Sequence, residues 1–256
     1  MAGRPPGEPL LEVADLHVAY GKAEVVHGVS LSVRAGEFTV MLGRNGAGKS
    51  TILHAISGLI PKKRGSVFFA GIDFTRRKPR DIVRAGAIQV LEGHRVFTSL
   101  SVEDNLLIGT YARHPHGDRK KLEPIYDIFP EIAEKRHQSA TRLSGGQQQI
   151  LAVAQGLVGD PRLLILDEPS AGLAPVVIDR ILNVAAEACA RGVAVLLVEQ
   201  LVDKALRHAH FCYVVETGRI ALAATPGELR SSDALKHIYL GSRPVEGAAP
   251  GSKPAA

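Results

Sequence analysis

Nine residues, Gly43-Arg44-Asn45-Gly46-Ala47-Gly48-Lys49-Ser50-Thr51, carry the spacing G-x-x-x-x-G-K-[ST]. Glycine at 43, 46 and 48 lets the backbone turn sharply and aim successive N–H groups at an anion. Lys49 has the reach for the β- and γ-phosphates of a nucleotide, and the Ser50 hydroxyl is a ligand of the kind Mg²⁺ accepts. A second set lies far along the chain, where Leu163-Leu164-Ile165-Leu166 ends in Asp167-Glu168. Acids that merely face solvent before the Pro169 turn are one reading. Beside a phosphate loop the chemical reading is stronger: Asp167 to hold Mg²⁺, directly or through water, and Glu168 to orient or deprotonate an attacking water. A third set is Leu143-Ser144-Gly145-Gly146-Gln147. Ser144 and Gln147 fit a helix capping box. Two glycines in a first helical turn, however, cost about 1 kcal/mol each against alanine. They make sense where an anion must approach the backbone at a helix N-terminus. Together these sets imply a protein that binds a nucleoside triphosphate.

The elements that must position these groups can be read on either side. Phe38-Thr39-Val40-Met41-Leu42 is an apolar strand before the glycine loop, and Ile52-Leu53-His54-Ala55-Ile56 reads as the helix after it, adding its positive dipole end. The run before Asp167 reads as a buried parallel strand delivering acids to its C-terminal edge, where open α/β sheets bind ligands. Val193–Val198 is another such strand, followed by Glu199-Gln200, and a helix opens at Pro175. From Leu10 to Val33 the apolar residues alternate, as in half-exposed antiparallel strands. Tyr20 lies between two of these, either as a cross-strand packing aromatic or as a platform for a nucleotide base. Gly65–Phe69 and Ala87–Leu91 read as strands joined by a basic connector. Residues 101–136 read as helical, with breaks at Pro115, Pro124 and Pro130. Phe211–Val215 and Arg219–Ala223 form a closing hairpin around Thr217-Gly218, and residues 226–240 read as short helices.

Composition bounds the rest. At 256 residues and 45% hydrophobic content the chain can bury a full core. The net charge of +5 is scattered, and its clusters at Lys62-Lys63-Arg64 and Arg76-Arg77-Lys78 lack interleaved aromatics, which argues against nucleic acid as a partner. Cys189 and Cys212 form no C-x-x-C pair and read as buried free thiols. The N-terminus has no apolar core of the signal-peptide kind, and no apolar run is long enough to span a bilayer. The chain is expected to be cytosolic.

On these motifs the chain resembles the ATP-binding subunits of ABC transporters, from about Leu10 to Leu240. The glycine loop matches their Walker A element, Leu143–Gln147 (LSGGQ) their signature, and Leu163–Glu168 their Walker B strand. The resemblance implies an α/β fold of the P-loop NTPase (RecA-like) type. A mostly parallel sheet core would carry an antiparallel β subdomain and a helical signature subdomain at about 92–158, with a flexible segment 1–9 and a disordered tail 241–256. It implies ATP and Mg²⁺ as ligands and a head-to-tail pair of cassettes, in which Ser144, Gly145, Gly146 and Gln147 of one contact the γ-phosphate held by the other. Glu92 stands where most of the family has the glutamine that touches Mg²⁺ and communicates with the membrane subunit, and a carboxylate can still ligate Mg²⁺. Ala174 replaces a usual aspartate. Gln200 replaces a histidine that contacts the γ-phosphate, and its amide can donate a hydrogen bond but carries no charge. The stretch Glu92–Phe97, the turn Gly172-Leu173-Ala174-Pro175, Val198-Glu199-Gln200 and Ile238-Tyr239-Leu240-Gly241 are similar to branched-chain amino acid importers. That subtype implies permease subunits, an extracytoplasmic substrate-binding protein, and a position on the cytoplasmic face of the membrane. Importers of urea or short amides share much of the pattern. A soluble ATP-gated assembly factor and a poorly hydrolysing binding subunit are the other readings.

Overall fold

The computed structural model describes residues 8–231 apart from 94, 112 and 115. The segments read as a loose start and a disordered tail, and the Ile238–Gly241 resemblance, lie wholly or largely outside the described residues.

Two sheets organise the chain. The first is antiparallel: β1 (Leu11–Tyr20) and β2 (Ala23–Val33) form a hairpin that closes with Tyr20 opposite Ala23, and β4 (Arg64–Phe69) and β5 (Ile72–Asp73) extend it in the order β2-β1-β4-β5. The second contains β3 (Phe38–Leu42), β6 (Ala87–Val90), β7 (Leu163–Asp167), β8 (Ala194–Glu199), β9 (Phe211–Glu216) and β10 (Arg219–Ala224), in the order β10-β9-β3-β8-β7-β6. All its pairings are parallel except that of β10 with β9. Every residue of β3, β7 and β8 is buried, as a parallel sheet covered on both faces requires.

The pleat divides these strands between two cores. Val40, Leu42, Leu164 and Leu166 face one side. There they meet α3 (Val102–Thr110), α4 (Leu122–Ile128), α6 (Gly145–Val158) and α7 (Pro175–Ala190). Met41, Ile165, Leu196 and Val198 face the other, against α1 (Lys49–Ile56) and the antiparallel sheet. Each such side chain contributes about 1.5–3 kcal/mol by leaving water, so this pattern fixes which face of the sheet each residue takes.

Several local expectations change. The basic connector contains a helix, α2 (Pro79–Arg84), started by Pro79 at its first position, with Ile82 as its buried residue. Pro124 does not interrupt the helical stretch; it lies in the first turn of α4, where its missing N–H has no partner to lose. Pro130 does mark a boundary, opening α5 (Pro130–Ala133). A short α8 (Val202–Leu206) follows Gln200, and α9 (Pro226–Ser231) is the described part of the C-terminal helical reading. Cys189 and Cys212 are free and buried, and burial pushes their thiols up to about 11 and about 12. No helix among the described residues is long and apolar enough to cross a membrane.

The strand register decides where chemistry can occur. Leu42 of β3 lies opposite Glu199 of β8, and Asp167 of β7 opposite Val198. The residues that leave these three strands, Gly43, Glu168 and Gln200, therefore emerge side by side at one carboxyl edge.

Candidate active site

At that edge the loop from Gly43 wraps around the Lys49 ammonium. Lys49 is 4% exposed. Its Nζ donates to the carbonyls of Gly43 (2.9 Å) and Arg44 (3.2 Å) and pairs with Glu168 Oε1 at 3.2 Å. Gly48 caps α1 in the left-handed region at φ 102° without any side-chain cap, so the helix presents backbone to whatever sits before it. The hairpin turn of β9 and β10 supports the loop from behind. Gly218 donates from its N–H to the carbonyl of Ala47 (2.8 Å), and its own carbonyl accepts from His27 (2.9 Å). A Cβ at Gly218 would fall 1.9 Å from the Val25 carbonyl oxygen, so only glycine fits there.

Asp167 is 1% exposed. Its Oδ1 accepts from the Ser50 hydroxyl at 2.9 Å, while its Oδ2 is buried with no hydrogen-bond partner. His54 Nε2, one helical turn beyond Ser50, approaches that oxygen to 3.7 Å. Burial pushes the Asp167 carboxyl above the usual carboxylate range, against the Ser50 hydrogen bond and His54, with a small further push from Glu168 and Glu92. A buried oxygen without a partner is costly unless something pairs with it. Among the described residues no cluster of three or more His, Cys, Asp or Glu could hold a metal ion by itself. A carboxylate oxygen beside a serine hydroxyl instead fits Mg²⁺, which uses one or two protein ligands and shares the rest with phosphate oxygens and water.

Glu168 sits beside this pair with its backbone at φ 45°, a left-handed conformation uncommon for a non-glycine residue. Its N–H donates to Val198 O at 3.0 Å. Its Oε2 accepts from the Gln200 side-chain amide, so the two residues separated by 32 positions touch directly. Lys49, Ser50, Asp167, Glu168 and Gln200 thus form one contiguous constellation. Glu92 is exposed, and the Arg95 side chain donates to its carbonyl oxygen. Tyr20, the last residue of β1, is about half exposed, opposite Ala23 across the hairpin.

The capping box at α6 is complete: Gln147 N donates to Ser144 Oγ and Ser144 N to Gln147 Oε1. That glutamine oxygen also accepts from Lys135 at 2.9 Å. Ser144 and Gly145 are exposed. Gly146 has a packing reason to be glycine as well, since a Cβ there would press to 3.1 Å against Val177 of α7. Among the described residues no hydrogen bond or ion pair joins Ser144–Gln147 to the loop 43–51. Sequence reasoning missed two contributors: His54 and Gly218. The signal for His54 was its spacing four residues after Ser50. Gly218 depends on strand order, which no local pattern reports.

The family model described as ABC transporter matches residues 26–171. The chain is also 38% identical to the high-affinity branched-chain amino acid transport ATP-binding protein BraG of Pseudomonas aeruginosa, over 87% of this chain and 95% of that protein. The chain belongs to the ABC transporter family. The cassette is further similar to a probable branched-chain amino acid transport ATP-binding protein, LivF, of Archaeoglobus fulgidus (32% identity, 91% of this chain, 99% of that one). Among solved structures, the ADP conformation of an ATP-binding cassette of an ABC transporter matches with a TM-score of 0.81 at 26% identity, covering 92% of this chain and all of that one. The α/β architecture above is therefore that of an ABC ATPase, and the constellation at the strand edge belongs to an ATP-hydrolysing cassette.

Proposed function

We propose that this cassette drives an importer of branched-chain amino acids by hydrolysing ATP between itself and a second cassette. The observation that carries the hydrolytic part is the meeting of Lys49, Asp167, Glu168 and Gln200 at one carboxyl edge. The amides of residues 43–51 and the Lys49 ammonium would bind the β- and γ-phosphates, with Tyr20 stacking on the adenine. Ser50, Asp167 and Glu92 would hold Mg²⁺, and the free Oδ2 of Asp167 is the atom that most needs such a partner. Mg²⁺, when bound, supplies neutralising charge to the phosphate oxygens.

Glu168 would take a proton from the attacking water as the new oxygen–phosphorus bond forms at the γ-phosphate and the bond to the β–γ bridging oxygen breaks, releasing ADP. Gln200 donates to Glu168 in this fold and so keeps the carboxylate aimed. Ser144, Gly145, Gly146 and Gln147 would seal the γ-phosphate of the opposite cassette, with the exposed, capped start of α6 as the donor surface.

The transport part rests on relatives whose names specify branched-chain amino acid transport. Along β6 runs a groove of about 220 Å³ with a mixed lining, apolar at Val83, Ile88, Leu91 and Ile108 and polar at Gln89, Arg95 and Gln155. With exposed Phe97 and Tyr111 in the segments beside it, this groove suits a permease segment. An external substrate-binding protein would feed that permease, and the cassette would sit on the cytoplasmic face of the membrane.

The test is transport in vesicles holding the co-purified membrane subunits, with leucine, isoleucine, valine and urea in competition. ATP-dependent uptake of the branched-chain amino acids is expected. Preferential uptake of urea, or no membrane partner on purification, would refute the reading.

A further inference from the structure

Glu199, the last residue of β8, is 1% exposed, and it lies beneath the constellation rather than in it. Its carboxylate accepts four hydrogen bonds. Oε1 takes the backbone N–H of Ser170 (3.2 Å), and Oε2 takes the Ser170 hydroxyl (2.8 Å) and the N–H groups of Gln200 (2.9 Å) and Leu201 (3.3 Å). These donors come from two separate segments. One begins two residues after Glu168, and the other contains Gln200. The two segments meet again above the carboxylate, where the Gln200 amide donates to Glu168.

We propose that Glu199 is a positioning residue for ATP hydrolysis, a buried anionic clasp that fixes the general base Glu168 and its partner Gln200 relative to each other. The proposal rests on the reading that Glu168 and Gln200 act on the triphosphate. A strand end needs no buried charge, and burying one costs several kcal/mol unless donors surround it. Four donors drawn from two loops meet that condition, and hydrogen bonds to a charged acceptor are about twice as strong as neutral ones. Glu168 holds a left-handed backbone that only over-determined surroundings maintain. The clasp on Ser170 supplies that restraint from one side and the bond from Glu168 N–H to Val198 O from the other. Since Glu199 touches no reacting atom, its loss should misplace the base and leave nucleotide binding by the loop 43–51 intact.

Glu199→Gln is the test, made in the assembled cassette with its partner subunits. The amide must turn its NH₂ toward donors, so at least one of the four bonds is lost. We expect kcat for ATP to fall at least about tenfold with KM for MgATP within about threefold of the parent. The Glu168→Gln variant supplies the readout that general loosening would not give. Adding Glu199→Gln to it should leave the residual rate unchanged, because no base remains to be misplaced. Should Glu199→Gln fail to fold, Ser170→Ala removes one donor and keeps the carboxylate. It should show the same split, with a fall of about threefold in kcat. Parent-like turnover in Glu199→Gln, equal losses in kcat and MgATP affinity, or an undiminished further loss in the Glu168→Gln background would overturn the clasp. An absence of turnover in the parent assembly would overturn the underlying reading of the site as well, and is distinguished by being independent of the Glu199 substitutions.

Discussion

Replacing Glu168 by glutamine changes one oxygen to NH₂ and keeps the side chain's shape. Two contacts define what is lost: Oε1 at 3.2 Å from the Lys49 ammonium and Oε2 accepting from Gln200. The ion pair is nearly enclosed, with the Lys49 side chain 3% and the Glu168 side chain 13% exposed. Lys49 nevertheless keeps its bonds to the carbonyls of Gly43 and Arg44, so the phosphate loop should stay formed. MgATP affinity should thus remain within about tenfold of the parent, a change of no more than about 1.4 kcal/mol. Hydrolysis should fall by about 10²–10⁴-fold, the usual contribution of a positioned general base, or about 2.7–5.4 kcal/mol in the barrier. With binding intact and chemistry blocked, the ATP-loaded pair should accumulate. Steady-state phosphate release, equilibrium MgATP titration and light scattering with the partner cassette present measure the three quantities. Turnover within about threefold of the parent would refute the assignment of Glu168 as base.

Asp167→Asn should raise the melting temperature of the protein at neutral pH in nucleotide-free buffer. Its acid is pushed up by burial, so the charged form is the one that costs stability above the raised folded value, and the cost disappears as pH falls through it. The same change should lower Mg²⁺-dependent hydrolysis at least about hundredfold, a stability–activity exchange readable from melting curves and phosphate release. Gly218→Ala forces a Cβ into the Val25 carbonyl at φ 73°. It should cost about 2–4 kcal/mol in urea unfolding and weaken MgATP binding through the Ala47 contact. His17 contributes a pH dependence. Its ring bridges Glu24 (2.6 Å) and Asp15 (3.1 Å), with His27, Lys63 and Arg64 around the same carboxylates. The hydrogen bond to Glu24 leads in raising His17 above 6.5, so its stabilisation is full below that value and lost as pH rises through the folded value. The stability gap between the parent and His17→Gln should therefore shrink as pH rises above about 6.5, measured by urea titration at each pH.

The parts of this fold readable in the sequence were those with a strong local cause. Three near-continuous apolar runs, two of them ending in an acid, a complete capping box at Ser144 and a glycine loop between strand and helix each announce themselves. Short elements do not. α2 buries one residue and α8 spans five, too little for a helical period to stand out from a basic or mixed loop. Pro124 misled because a proline reads as a break wherever it falls, whereas in a first helical turn it is harmless. Within the site, residue types named Lys49, Asp167 and Glu168, but adjacency came from the register that sets Leu42 beside Glu199. Strand order is a tertiary property. It alone turned Gln200 into a contact of Glu168 and Glu199 into the anchor beneath both.

The shared-site account is tested most directly by hydrogen–deuterium exchange on Glu168→Gln protein, with its partner cassette, before and after saturation with MgATP. Amides of residues 43–51 and of residues 144–148 should slow together, and Lys49→Ala should abolish both effects. Slowing at 43–51 with the amides of 144–148 exchanging as fast as before, in an assembly shown to be paired, would contradict it.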